Sequence, residues 1–198
     1  MGITIWLVPP EGPFKPLEAL IAEIASKHSS PVFQPHITLL ALPSDSPITS
    51  DAILPPLSEL PATIPITFNK VCAGQSYFQS VLVELEIKDG STLDELYKAT
   101  LKKNEGLVKG EDASSELGGR FLRPFYPHLS LYYGEVSAEV RSAIIKGLVD
   151  EGKVQPAGVH SPLTIVGVEG GFQVTDIWVV KCDGPTRDWQ VLEKIKLS

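Results

Sequence analysis

Two short segments of the sequence resemble each other, and each contains one histidine. FQPHITLL begins at residue 33 and FYPHLSLY at residue 125, so that phenylalanine, proline, histidine and leucine recur in register. A hydroxyl residue stands two places after each histidine, which gives the four residues His36, Thr38, His128 and Ser130. The copies lie 92 residues apart in a chain with four histidines, so chance is a poor explanation for the repeat.

These residue types are suited to acid–base chemistry on a phosphate ester. An imidazole titrates near neutral pH, so one histidine can accept a proton while the other donates one. Hydroxyl groups beside them can donate hydrogen bonds to an anion that lies between the two copies. The four side chains therefore predict a phosphodiester site that needs no metal ion.

Both segments are predicted to be strands whose polar residues face one side. Each segment contains a proline, and helical backbone is disfavoured at the residue before a proline. The β-branched and aliphatic residues of the segments favour extended structure. Because side chains alternate between the faces of a strand, His36 shares a face with Thr38, and His128 shares one with Ser130. The apolar residues between them face the opposite side, where a core is expected.

The order strand, helix, motif strand is predicted twice along the chain. The first half has a strand over 3–8, a break at 9–13, a helix with apolar residues over 17–24 that ends near residue 28, and a motif strand over 34–42. The second half has strands over 64–73 and 77–87 around a hairpin turn at 74–76, a helix from Ser91 to Gly106, and a motif strand that ends at residue 133.

Further helices and strands are predicted in the rest of the chain. They are a short helix over 50–57, a helix capped by Ser137, strands over 163–169 and 173–181 around a turn at 170–171, and a last strand over 189–197. The polar stretch 104–120 is predicted to be a lid or a tolerated surface insertion. Tyr77, Phe78 and Trp178 are predicted to be core residues, and His28 and His160 to be structural or exposed.

The composition indicates a globular protein with an acidic surface. Of its 198 residues, 43% are hydrophobic and 21% charged, and the net charge is −7. Long nucleic acids are bound through basic patches, whereas a small phosphorylated ligand needs only local donors. Cys72 and Cys182 lack the spacing of a metal site, and no segment has the length of a membrane span. We expect a small-molecule partner, no membrane insertion, and, without a signal peptide, an intracellular protein.

The paired motifs resemble those of the 2H phosphoesterases, and the length and spacing are most similar to the fungal and plant 2′,3′-cyclic nucleotide phosphodiesterases. The resemblance implies an α+β fold with two pseudo-symmetric lobes, each an antiparallel sheet with outer helices, around an active-site cleft. It implies a single domain over 1–198, a monomer, and a cytoplasmic location, with association to Golgi endomembranes as the alternative.

The resemblance also implies roles for individual residues. His128 corresponds to the general base and His36 to the general acid, while Thr38 and Ser130 bind the phosphate. A tyrosine that often belongs to the site corresponds to Tyr133. Strict alternation of side chains along the strand would place Tyr132, and not Tyr133, on the face of His128. A bulge at Gly134 is therefore needed to bring Tyr133 to that face.

The implied activity is hydrolysis of 2′,3′-cyclic nucleotides to nucleoside 2′-phosphates, without a metal or other cofactor. A second implied substrate is ADP-ribose 1″,2″-cyclic phosphate, which arises in tRNA splicing and would give ADP-ribose 1″-phosphate. Two alternatives remain: an enzyme of the same superfamily that acts on RNA ends, 2′–5′ ligase-like or a 3′ exonuclease, and a non-catalytic nucleotide-binding module. For a catalytic histidine pair, the sequence predicts maximal activity between about pH 5.5 and 8.

Overall fold

The computed structural model describes residues 2–108 and 125–197. The helices are α1 (Glu11–His28), α2 (Ser50–Ile53), α3 (Thr92–Lys103), α4 (Glu105–Val108) and α5 (Ala138–Asp150). The strands are β1 (Ile3–Val8), β2 (Ile37–Leu42), β3 (Ile64–Ala73), β4 (Val81–Leu85), β5 (His128–Tyr132), β6 (Val154–Gln155), β7 (Thr164–Ile165), β8 (Val168–Glu169), β9 (Gly171–Val174), β10 (Asp176–Lys181) and β11 (Gln190–Lys196). Among the described residues, no helix is both long enough and apolar enough to span a membrane.

Eight strands form one antiparallel sheet, with the motif strands β2 and β5 side by side at its centre. The order is β11-β10-β1-β2-β5-β4-β3-β9, so four strands lie on each side of the central seam. A single residue pair, Ile37 and Leu129, connects the two motif strands. The predicted α+β fold with two related halves is therefore confirmed.

The sheet is strongly curled, as the short connection between two of its strands requires. In the strand order β9 and β10 are six positions apart, yet only Thr175 separates them in sequence. In a flat sheet this separation would be roughly 30 Å, whereas one residue spans about 3.5 Å. The far ends of the sheet must therefore approach each other.

One face of the sheet is packed against the helices, and each half contributes a helix to the other. Helix α1 follows β1 in the chain but packs against β5, and α3, which follows β4, packs against β3 and also against β2. Fully buried side chains at alternate positions of the two motif strands, such as Ile37 and Leu129, face this core. The opposite face is left for the polar residues of the motifs.

Several predicted boundaries are wrong, and each has a local cause. Helix α1 already begins at Glu11, because Pro10 is its N-cap and Pro13 lies in the first turn, where a proline loses no helical hydrogen bond. Residue 77 begins a 3-10 helix, Tyr77–Gln79, so β4 starts only at Val81.

Two further predicted strands are each divided into two in the structure. The apolar run 163–169 is a hairpin of β7 and β8, because Val166 and Gly167 have positive φ angles of 43° and 83°. The run 173–181 is divided at Thr175 between two distant strands of the sheet.

The stretch 104–120 is only partly within the described residues. Gly106, predicted to end a helix, lies inside the short helix α4, and Val108 at the end of that helix is buried. Residues 109–120, which hold most of the predicted lid, lie outside the described residues.

Candidate active site

The four repeated polar residues meet on the open face of the sheet. The antiparallel pair Ile37–Leu129 fixes the register, so one residue further along, His36 lies across from Ser130 and Thr38 across from His128. All four border one cavity of about 570 Å³. Each histidine therefore has a hydroxyl of its own strand and one of the neighbouring strand beside it.

The two imidazoles are held by the same backbone contact. The Nδ1 atom of His36 lies 2.6 Å from the carbonyl oxygen of Gln34, and that of His128 lies 2.9 Å from the carbonyl oxygen of Tyr126. A carbonyl oxygen can only accept, so in both neutral rings the proton resides on Nδ1. This leaves Nε2 of each ring as the nitrogen that can take up or release a proton.

The surroundings of His36 are apolar. The Trp6 indole stacks on the imidazole at a centroid distance of 3.7 Å and an angle of 9°, while Phe33 and Trp189 approach it edge-on. Only 7% of His36 is exposed. Burial lowers its pKa to about 4, an effect that the bond to Gln34 opposes and the nearby His128 reinforces. His36 is therefore neutral at neutral pH.

The surroundings of His128 are more polar. The residue is half-buried, and burial lowers its pKa while the Tyr126 carbonyl raises it. The hydroxyl of Tyr126 donates to Glu84 at 2.8 Å, and Glu84 lies across from His128 on β4. Asn69 donates to the same carboxylate at 2.6 Å. The repeat is thus symmetric in its backbone and asymmetric in the polarity around its histidines.

The two hydroxyls differ in their present hydrogen bonds. Ser130 donates to the carbonyl oxygen of Phe78 at 2.9 Å. The Thr38 hydroxyl makes no hydrogen bond with any described residue. Thr38 can therefore donate to a bound anion directly, whereas Ser130 must first release Phe78.

Tyr133 borders the cavity because of a β-bulge. On β4, Leu82 faces Ser130 but its neighbour Val81 faces Tyr132, so β5 carries one extra residue, Leu131. Tyr132 consequently enters the core, and Tyr133 takes the face of the polar residues. The expected bulge exists, but it lies before Tyr133 and not at Gly134.

The first motif has the same bulge. On β1, Ile5 faces Leu40 and Trp6 faces Thr38, which makes Leu39 the extra residue of β2. In each motif the extra residue comes directly after the hydroxyl residue, which is Thr38 in the first motif and Ser130 in the second.

Among the residues at the cavity that had no predicted part in the site are Trp6, Tyr77, Phe78, Arg141 and Trp189. Tyr77 and Phe78 were predicted to be core residues but lie on the segment that connects β3 to β4 at the cavity wall. Tyr133 stacks on Phe33 at 3.7 Å, and burial raises the pKa of Tyr133, so its hydroxyl stays protonated. No local sequence pattern indicated Trp6 or Arg141.

The described residues contain no group of three histidine, cysteine or acidic side chains that could hold a metal ion. Both cysteines are free. Cys182 borders the cavity with its sulfur 3.0 Å from the Thr4 hydroxyl, and burial raises the pKa of its thiol to about 11. A thiol in this state is a poor nucleophile and a poor ligand.

Comparison with known proteins supports the fold and places the sequence in a family. The family described as "Cyclic phosphodiesterase-like protein" matches residues 1–197. No curated protein sequence gives a significant match.

Solved structures with the same fold cover nearly the whole chain. TT0787 of Thermus thermophilus has a TM-score of 0.57 and 21% identity, covering 100% of this chain and 98% of its own. Escherichia coli LigT in complex with ATP has a TM-score of 0.50 and 17% identity, covering 99% and 97%. A protein described as a phosphoesterase has a TM-score of 0.50 and 14% identity, covering 100% and 98%. At these identities the likeness establishes the fold alone.

Proposed function

The chain belongs to the cyclic phosphodiesterase-like family and has the 2H phosphoesterase fold, and we propose that it hydrolyses 2′,3′-cyclic nucleotides to nucleoside 2′-phosphates. The observation that carries this proposal is the paired geometry of His36 and His128. Both rings border one cavity, and both have Nδ1 bound to a backbone carbonyl, so both have Nε2 free for proton transfer.

The geometry favours His36 as the general base. His36 is buried under Trp6 and neutral, so its Nε2 can accept the proton of the attacking water. The water oxygen bonds to phosphorus as the bond from phosphorus to the ribose 3′ oxygen breaks. His128, in the more polar surroundings, then gives its proton to that ribose oxygen. This assignment reverses the one implied by the family resemblance.

The hydroxyls and Tyr133 are proposed to stabilise the charge on the phosphate. Thr38 donates to a non-bridging oxygen as the phosphorus becomes five-coordinate, and Ser130 joins it after leaving the Phe78 carbonyl. Tyr133 keeps its proton because burial raises the pKa of its hydroxyl, so it is a third donor at the cavity wall.

Small nucleotides are the proposed ligands. Aromatic side chains border the cavity, and nucleobases stack on such groups. LigT, which has the same fold, forms complexes with ATP and with NADP+. The net charge of −7 favours a small ligand over long nucleic acids, which are bound mainly by basic proteins. ADP-ribose 1″,2″-cyclic phosphate is the second substrate that we propose.

The test is an assay of two substrates, adenosine 2′,3′-cyclic phosphate and a short oligoribonucleotide with a 2′,3′-cyclic end, with the products identified by ³¹P NMR. We expect turnover of the mononucleotide to adenosine 2′-phosphate. Turnover of the oligonucleotide alone would indicate an RNA-end enzyme. Binding of adenosine 2′-phosphate without turnover of either substrate would indicate a nucleotide-binding module.

A further inference from the structure

The catalytic cavity contains a cation that the proposed reaction does not use. We propose that Arg141 forms a second anion subsite, which binds a phosphate on the 5′ oxygen of the ribose that carries the cyclic phosphodiester. This inference rests on the proposed function and narrows the substrate class to cyclic phosphates with a further phosphate group.

Arg141 is fixed in place but retains free donors. It lies in the second turn of α5, where Nε donates to the Ser80 hydroxyl at 3.1 Å and Nη1 donates to the Gly74 carbonyl at 2.7 Å. A guanidinium has five N–H groups, so three remain after these two bonds. A rigid guanidinium with free donors is well suited to bind a phosphate through two parallel hydrogen bonds.

The charge of Arg141 is not neutralised locally. No carboxylate among the described residues forms an ion pair with it. Glu135 borders the same cavity, but it is exposed to solvent and makes no bond to the guanidinium. An uncompensated, half-buried cation inside a substrate cavity is a natural partner for an anion, particularly in a chain with a net charge of −7.

The segment 74–80 connects the reacting centre to Arg141. Arg141 binds both ends of the segment, at Gly74 and Ser80, and Phe78 within the segment accepts the Ser130 hydrogen bond. Tyr77 and Phe78 border the cavity between these ends. A volume of about 570 Å³ suits a whole nucleotide and exceeds what a phosphate alone requires. A ribose that carries both a cyclic phosphate and a 5′ phosphate is therefore the ligand class that we infer.

This chemistry occurs in several molecules, namely a nucleoside 5′-phosphate with a 2′,3′-cyclic phosphate, ADP-ribose 1″,2″-cyclic phosphate, and the last nucleotide of an oligonucleotide. In the mononucleotide the second phosphate is a monoester, whereas in the other two it is bridged. Comparing substrates with each type of phosphate therefore identifies the source.

The experiment compares kcat/KM for adenosine 2′,3′-cyclic phosphate, its 5′-phosphorylated form, and a dinucleotide with a 2′,3′-cyclic end. In the wild-type protein the 5′ phosphate should raise kcat/KM about tenfold to a hundredfold, as expected for a charge-assisted hydrogen bond. Arg141→Gln should bring this gain close to one. Because the variant also releases Gly74 and Ser80, the quantity compared is the ratio of kcat/KM between the phosphorylated and the unphosphorylated substrate. Arg141→Lys should retain part of the gain, because it keeps the charge but loses the second parallel bond.

Two control variants separate the subsite from a structural role. Arg187→Gln removes the same charge from an exposed residue that does not border the cavity, and should leave the substrate ratio unchanged. Ser80→Ala removes one of the two bonds that hold Arg141 but keeps the guanidinium, so it should retain part of the gain from the 5′ phosphate. An Arg141→Gln variant that lowers kcat/KM for all substrates by the same factor would overturn the proposed subsite.

A binding measurement keeps this inference separate from the proposed function. Calorimetry with adenosine 2′-phosphate and adenosine 2′,5′-bisphosphate needs no turnover. If the wild-type protein hydrolyses neither cyclic substrate, the proposed function fails, while a preference for the bisphosphate that Arg141→Gln abolishes still supports the subsite. Equal affinity of the wild-type protein for the two ligands would refute it.

Discussion

The indole of Trp6 lies parallel to the imidazole of His36, with the ring centroids 3.7 Å apart and 9° between the planes. Trp6 is itself only 2% exposed, so water is excluded from one whole face of the imidazole. An aromatic face attracts cations, but here the loss of hydration has the larger effect and favours the neutral ring. The aromatic ring that contacts His128 from the described part of the chain is that of the exposed Tyr126, at 5.8 Å. Two histidines from a repeated motif therefore lie in different environments.

The first prediction concerns the pH dependence of kcat/KM. Activity needs His36 neutral, so it should fall as the pH drops through about 4, the pKa of His36. Activity also needs His128 protonated, so it should fall as the pH rises through the pKa of His128, which burial places below 6.5. The maximum is therefore more acidic than the sequence predicted. Because the two rings interact, the limbs describe the pair.

Trp6→Ala provides the check on this profile. Removing the indole admits water to His36, so the acidic limb should move upward, toward the ordinary histidine pKa near 6.5. A profile with one limb, or an acidic limb unchanged in Trp6→Ala, would contradict the assigned roles.

The second prediction concerns stability. The pKa of His36 is lowered in the folded state, so the unfolded chain binds its proton at a higher pH. The contribution to stability is complete above about pH 6.5, is lost as the pH falls to about 4, and amounts to about 3 kcal/mol. Urea unfolding of the wild-type protein and His36→Phe across this range measures it. The free energy of unfolding should fall less with decreasing pH in His36→Phe than in the wild-type protein. An equal fall in both proteins would exclude the effect.

The third prediction concerns the two histidines themselves. His36→Ala and His128→Ala should each lower kcat by about two to four orders of magnitude, because each removes one proton-transfer step. His160→Ala, at an exposed position, and His28→Ala, at the end of α1, are the matched controls and should retain wild-type turnover. Near wild-type kcat in either cavity variant would exclude that histidine from the reaction.

The fourth prediction distinguishes the two hydroxyls. Thr38→Ala should cost about 2–4 kcal/mol in kcat/KM, the range for a lost transition-state donor. Ser130→Ala should cost less, because the Ser130 proton is already bound by the Phe78 carbonyl. Thr38→Ser keeps the hydroxyl and should retain most of the activity. A change confined to KM would mean that Thr38 contributes equally to substrate and transition state.

The fifth prediction is that activity survives chelation. The histidines and hydroxyls account for proton transfer and charge stabilisation, so kcat/KM should be the same with and without EDTA. A strong loss that one divalent ion restores would require a different mechanism.

The sequence was informative where the pattern is local. The repeated motif indicated the strands, their polar faces and all four central residues of the cavity, because strand alternation is a property of neighbouring residues. Tyr133 depended on a bulge that exists only in the pairing of β5 with β4. Trp6 and Arg141 were not found, because they come from distant segments that the fold brings to the cavity. The change of strand at Thr175 has no turn residue to indicate it.

The exchange of helices between the halves has a consequence for cooperativity. The strand of His36 is supported by α3 from the second half, and the strand of His128 by α1 from the first. Neither half can open without uncovering the apolar back of the other half's motif strand. The two histidines are therefore expected to gain and lose their ordered positions together, so native-state hydrogen exchange should report one common opening free energy for β2 and β5.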